Sequence, residues 1–353
     1  MDDYRLLGHS GLRVSPLCLG AMTFGTQWGW GADRETSRSI FDVYAEAGGN
    51  FIDTANFYTN GTSEEFVGQF TAADRDRFVI ATKYTLNMRP GDPNAGGNHR
   101  KNMVRAVEAS LRRLGTDYID LYWVHMWDFT TSVEEVMRGL DDLVSTGKVL
   151  YLGISDAPAW IVARANTMAE GRGWSRFTAL QINYSLAIRD AERDLNPMAR
   201  ALGLGITPWA PLAGGVLTGK YTRDDLDAAQ RGDGDDPRSA FVSSQRPVRL
   251  TEKKLQIAEV VTTVAQEIGR SPAQVAINWL LSRPGVVSPI LGARRLEQII
   301  DNLGALEFSL DDAHLKRLDE VSAVPLGFPH DMLASDFAAY LIHAGSAIET
   351  RVP

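Results

Sequence analysis

"RKNMVRAVEASLRRLGTDYIDLYWVH", residues 100–125, holds two different periodicities. Over 100–115, Met103, Val107, Leu111 and Leu114 recur at three- and four-residue spacing and draw one apolar stripe, which predicts a helix. Gly115 then stops it in the manner of a C-cap. Over 119–125, "IDLYWVH" is almost continuously apolar, as a strand buried on both faces is. Helices alternating with two-faced strands make a parallel sheet covered by helices.

The same alternation extends in both directions. Strand-like runs precede it at "PLCLG" (16–20), "NFID" (50–53) and "FVIATK" (78–83). Others follow at "VLYLGIS" (149–155), "TALQINY" (178–184), "GITPWA" (205–210) and "VVSPIL" (286–291), which brings the total to eight. Helical patterns lie between them, among them "RETSRSIFDVYAEAG" (34–48) and "VEEVMRGLDDLVSTGK" (133–148). Eight such units predict a (β/α)8 TIM barrel, taken as a single domain over 1–353 with a C-terminal extension at 322–353. A doubly wound sheet is the alternative, but "AMTFGTQWGWG" after the first strand does not fit its G-x-G-x-x-G fingerprint. "YRLLGHSGLRVS" ahead of that strand reads as a β-hairpin with a Ser-Gly turn, an expected cap for the barrel bottom.

Composition narrows the function. Hydrophobic residues make up 44% and charged residues 23%, ordinary for a folded core. With 36 basic against 44 acidic residues the net charge is −8, which argues against nucleic-acid partners. No apolar run is long enough for a membrane span. The one cysteine, Cys18, sits in the apolar "PLCLG" and suits a reducing cytoplasm.

In such barrels chemistry belongs to the C-terminal strand ends. Those ends carry Asp53, Lys83, His125 and the Ser155-Asp156 pair, with Tyr58 in the loop after Asp53. The set suits reduction of a carbonyl. Hydride addition leaves charge on oxygen, a tyrosine can supply the proton, and a nearby ammonium eases its release. Asp53 is expected to hold the Lys83 charge in place, and a neutral His125 to orient the carbonyl oxygen.

The motifs "FIDTANFYTNGTSE", "ATKY" and "GTDYIDLYWVH", with "LGHSGLRVSPLCLGAMTFG" and "PILGARRLEQIIDNLGAL", resemble those of the aldo-keto reductase superfamily. The likeness is to bacterial-type members and to the branch that holds potassium-channel beta subunits. It implies a catalytic tetrad of Asp53, Tyr58, Lys83 and His125, and a bound NADP(H) without a Rossmann motif. By that resemblance Ser155, Asp156 and Gln181 hold the carboxamide, although relatives often carry Asn where this chain has Asp156. Trp209 stacks on the nicotinamide, and Met22, Thr23 and Asp53 approach the ribose. Ala210, Pro211, Leu212 and Gly214 line the dinucleotide, with Arg238 in the polar loop beyond. Lys220 reaches the pyrophosphate. Gly292, Arg294, Gln298 and Asn302 take the 2′-phosphate and the adenine, and Arg294 favours NADP(H) over NAD(H).

"GGVLTGKY" (214–221) also mimics a phosphate-binding loop, but Tyr221 stands where magnesium needs Ser or Thr. The polar "TRDDLDAAQRGDGDDPRSAF" that follows reads as a loop, and its "RGDGDDPR" as a flap rather than a calcium site; no metal is expected. Trp28, Trp30 and Trp127 are expected around a pocket for a small-molecule carbonyl substrate. The tail suggests either closure of that pocket or a homo-oligomer. Two other functions stay open at this point: a cofactor-bound regulatory or redox-sensing subunit, and an aldolase using Lys83 as a Schiff-base amine.

Overall fold

The computed structural model describes residues 1, 3–231, 250–344 and 346. Eight parallel strands form its sheet: β3 (Cys18–Gly20), β4 (Phe51–Asp53), β5 (Val79–Tyr84), β6 (Ile119–Val124), β7 (Val149–Ser155), β8 (Phe177–Asn183), β9 (Gly205–Trp209) and β10 (Ile290–Gly292). They follow chain order from β3 to β9, and β10 pairs with β3. Ile206 of β9 bridges Val286 ahead of β10, donating to Gly285 O and accepting from Val287 N, which closes the ring. The (β/α)8 barrel is therefore the fold. "VVSPIL" becomes regular strand only at its end because Pro289 has no N–H to donate, although its carbonyl accepts from Cys18 N.

Expected helices form where their caps allow. Helices α1 (Arg34–Glu46), α2 (Thr62–Thr71), α3 (Arg100–Leu114), α4 (Val133–Ser145), α5 (Ala159–Arg172) and α6 (Leu195–Ala201) follow β3 to β8 in turn. Asp33 caps α1 and Ser132 caps α4, each accepting from a backbone N–H of the first turn. Met103, Val107, Leu111 and Leu114 are all buried, and Gly115 ends α3 in a left-handed turn.

One helix forms where a loop was expected. α7 (Arg223–Arg231) forms within the polar stretch after β9. Thr222 and Asp225 cap each other's backbone N–H groups, and Leu226 is buried beneath it. Nearly all of "RGDGDDPR", Arg238 included, lies outside the described residues. Beyond come α8 (Glu252–Glu267), α9 (Pro272–Leu281), α10 (Leu296–Leu303) and α11 (Asp312–Ser322). The short α12 (His330–Leu333) and α13 (Asp336–His343) follow in the tail.

The core has two shells. Inside the barrel, Phe51, Val79, Ala81, Leu121, Trp123 and Ala179 pack together with Leu7 and Val14. Those last two come from the N-terminal hairpin, β1 (Arg5–Leu6) antiparallel to β2 (Arg13–Val14). Because Val79 and Phe51 open their strands, the hairpin plugs the barrel's N-terminal end. The larger shell lies between sheet and helices. Among the described residues no helix is long and apolar enough to cross a membrane.

Candidate active site

All eight strands end on one face, so the loops that follow them crowd a single mouth. Backbone strain gathers there. Among the described residues, Thr59, Asn60, Thr85, Phe129, Asp156, Ala210 and Ala213 take positive φ in loops directly after strands. Such backbone is costly for a side chain with a Cβ and persists where its surroundings enforce it.

Lys83, fully buried on β5, organises the centre. Its ammonium donates to Asp53 Oδ2, to Thr54 O at 2.8 Å and to the Tyr58 hydroxyl at 3.0 Å. An ammonium has three hydrogens and no acceptor, so the phenol oxygen must accept and its own proton is directed elsewhere. Asp53 Oδ1 accepts from Gln181 Nε2 at 2.8 Å, which ties β4 to β8 across the barrel. His125, just past β6, meets Tyr58 edge-on with ring centroids 5.8 Å apart. Its Nδ1 is buried without a partner. The floor is set by Trp123, in register with Lys83 and with Gly153. A Cβ at Gly153 would lie 2.2 Å from the Trp123 ring, so only bare backbone fits beneath the indole.

Charge and burial set the protonation states. Burial works against the Lys83 charge, but Asp53 and Tyr58 outweigh it and hold its pKa above the ordinary lysine value. Burial, with a smaller push from the Lys83 charge, drives the His125 pKa well below the usual histidine range, so the ring is neutral at pH 7. For Tyr58 burial again leads. It raises the phenol above its ordinary value while Lys83 pulls downward. The expected easing by lysine is present, yet in the free protein it only offsets burial. The phenol therefore keeps its proton at neutral pH.

The remaining candidates form the other arc of the rim. Ser155 ends β7 and Asp156 follows it, Gln181 lies on β8, Trp209 ends β9 with the loop to Lys220 beyond, Gly292 ends β10 ahead of Arg294, and Met22 and Thr23 follow β3. Ala210, Pro211, Leu212 and Gly214 shape the turn after Trp209, with Ala210 and Gly214 left-handed. A Cβ at Gly215 would sit 3.0 Å from Lys220 Nζ, so this glycine gives the lysine its place. Arg294 Nη1 donates to Trp30 O at 3.2 Å, joining the β10 and β3 loops. Two cations thus stand in the loops after β9 and β10, on the same mouth as Ser155, Gln181 and Trp209. The N-terminus of α10 opens beside Arg294, and the donor set fits a nicotinamide dinucleotide phosphate.

Several candidates are engaged by the fold itself. Gln298 Oε1 accepts from the backbone of Arg294 at 2.9 Å and of Arg295 at 3.2 Å, because the first N–H groups of a helix need partners. Thr23 Oγ1 donates to Ala293 O at 2.6 Å, and Asn302 is buried. On the substrate side, Trp28 packs on Trp30, on Phe57 and edge-on against Tyr58, with centroids 5.7, 5.8 and 6.3 Å apart. Phe57 was not singled out from sequence, though it directly precedes Tyr58. Trp127 lies deeper than Trp28 and Trp30, which are half-buried. Only 6% exposed, it belongs to the shell between barrel and helices, while Met126 and Phe129 of the same loop face solvent.

A closed parallel barrel with an Asp-Lys-Tyr relay and a histidine at its C-terminal mouth defines a barrel oxidoreductase. The aldo/keto reductase family model matches residues 16–323, and the chain belongs to that family. It is similar to norsolorinic acid reductase of Aspergillus flavus, 41% identical over 341 residues that cover 94% of this chain and 84% of that one. It is also similar to norsolorinic acid reductase stcV of Emericella nidulans, 41% identical over 334 residues, 91% of this chain and 81% of the relative. A third relative is aryl-alcohol dehydrogenase [NADP(+)] of Phanerodontia chrysosporium, 40% identical over 362 residues, 97% of this chain and 91% of the relative.

Proposed function

We propose that this oxidoreductase interconverts an aldehyde or ketone with its alcohol, using NADP(H). A bound nicotinamide supplies or accepts the hydride. The protein's own part is to hold the carbonyl oxygen beside Tyr58 and His125 and to pass it a proton. The observation that carries this reading is the Lys83 ammonium donating to the Tyr58 oxygen at 3.0 Å, which leaves the phenolic proton for a substrate. As that proton leaves, the adjacent ammonium stabilises the phenolate, and the buried Asp53 keeps the ammonium charged and in place. A neutral His125 can offer an N–H to the same oxygen. A permanently charged Lys83 is a poor amine nucleophile, so the Schiff-base alternative finds no support.

The Trp28–Trp30–Phe57 wall suits a ring-bearing substrate, in keeping with the aromatic alcohol in one relative's name. Self-association through the tail, which exposes Phe328, Phe337, Tyr340 and Leu341, belongs to the same reading, as does a cytoplasmic setting. Tryptophan fluorescence during titration with NADPH and with NADH tests the nucleotide, and a panel of aromatic aldehydes then tests turnover. Tight quenching that prefers NADPH, followed by aldehyde-dependent oxidation, is expected. Binding of neither nucleotide contradicts the proposal.

A further inference from the structure

One carboxylate in the mouth takes no part in the proton relay. Asp156 follows Ser155 at the end of β7 with its backbone left-handed, φ 43°, a conformation that short polar Asp and Asn side chains tolerate best. Its Oδ1 accepts a hydrogen bond from Trp209 Nε1 at 3.1 Å, so carboxylate and indole span β7 and β9 as one unit. Asp53 is already paired with Lys83, and its second oxygen is taken by Gln181. Asp156 therefore adds a negative charge to the nicotinamide side of the mouth, open to solvent on one side and crowded by protein on the other.

We propose that Asp156 favours the oxidised, cationic form of a bound nicotinamide, and so tilts the equilibrium on the enzyme toward carbonyl reduction, the direction that produces this form. The inference rests on the reading of the mouth as a nicotinamide site. An amide at this position offers both redox forms the same hydrogen bonds. A carboxylate adds an attraction that only the cationic ring feels, and a residue can shift an equilibrium only through such a difference. Water screens the charge in the free protein. A ring packed against Trp209 displaces that water and strengthens the attraction.

The test is the pair of dissociation constants for NADP+ and NADPH, measured by tryptophan fluorescence on the full-length protein and on Asp156→Asn. The substitution is expected to weaken NADP+ relative to NADPH about tenfold, the size of one partly screened charge interaction at several ångströms. The wild-type protein supplies a second arm. Crowding pushes the Asp156 pKa up to about 6. Its neighbours hold their states through that range: Lys83 of β5 charged, Tyr58 after β4 protonated and His125 after β6 neutral. The Asp53 carboxylate faces Lys83 rather than Asp156. The wild-type preference for NADP+ is therefore expected to fall between pH 7.5 and 5.5, and the variant's to stay flat. Titration of the 2′-phosphate near pH 6 affects both nucleotides and cancels in the ratio. Both nucleotides binding with the same ratio in both proteins at every pH overturns the inference. Failure of either nucleotide to bind at all overturns the reading beneath it as well.

Discussion

Lys83 has three hydrogens, and the carboxylate, the carbonyl and the phenol around it take all three. Removing any one partner leaves a buried charge poorly matched, which is why these residues act as a unit. This much was legible in the sequence, because titratable side chains at the ends of two-faced strands have few structural reasons to be there. The partner of Asp156 and the burial of Trp127 were not legible, since both depend on how loops from different strands meet. Two predictions belong at this scale. Arg294→Ala should weaken NADPH about 10- to 100-fold, the loss of a charge-assisted contact, and change NADH by less than about threefold. Equal losses, measured by titration, would contradict the 2′-phosphate assignment. His125, its pKa depressed by burial, binds fewer protons folded than unfolded between that lowered pKa and about 6.5, so its contribution to stability is lost as pH falls through that window. Asp156, its pKa raised to about 6, acts with the opposite sign below that pH. Urea midpoints at pH 7 and pH 5 should therefore fall less for His125→Gln than for wild type; an unchanged fall would count against the depressed pKa.

Helix packing sets how closely the wall around the mouth is held. Gly68 of α2 faces the backbone of α3, where an added Cβ would lie 2.3 Å from Leu114 O. Backbone cannot yield as a side chain can. Nearby, the buried Glu64 of α2 accepts from Thr82 of β5 at 2.5 Å and from Arg113 of α3 at 2.6 Å, joining three elements. Gly68→Ala should cost about 2 kcal/mol by overpacking and lower Tm by a few degrees in thermal unfolding. An unchanged Tm would mean the two helices part freely. Strands and long helices could be read from periodicity because burial imposes it. Helix α7 could not, because its stability comes from the Thr222–Asp225 cap and one buried leucine rather than from an apolar stripe.

Across the whole molecule, stability and chemistry occupy opposite ends of the barrel. The hairpin seals the N-terminal end with Leu7 and Val14, both fully buried, and the relay faces the C-terminal mouth. Leu7→Ala should destabilise by about 2–5 kcal/mol in denaturant unfolding while leaving nucleotide affinity within about twofold. A large loss of affinity in folded protein would show that the two ends are coupled. The barrel could be anticipated from counting eight β/α units, and the plug from its turn. The arrangement of the tail could not, because Arg193 bonding Pro325 O and the His330–Asp194 contact are long-range and leave no periodic trace.

The measurement that bears most directly on the account is single-turnover oxidation of bound NADPH by an aromatic aldehyde, in wild type and in Tyr58→Phe, with nucleotide affinity measured alongside. The account predicts stoichiometric alcohol formation by wild type, a rate reduced about 10²- to 10⁴-fold in the variant, and nucleotide affinity within about twofold. A variant that turns over at the wild-type rate would contradict the assignment of Tyr58 as the proton donor.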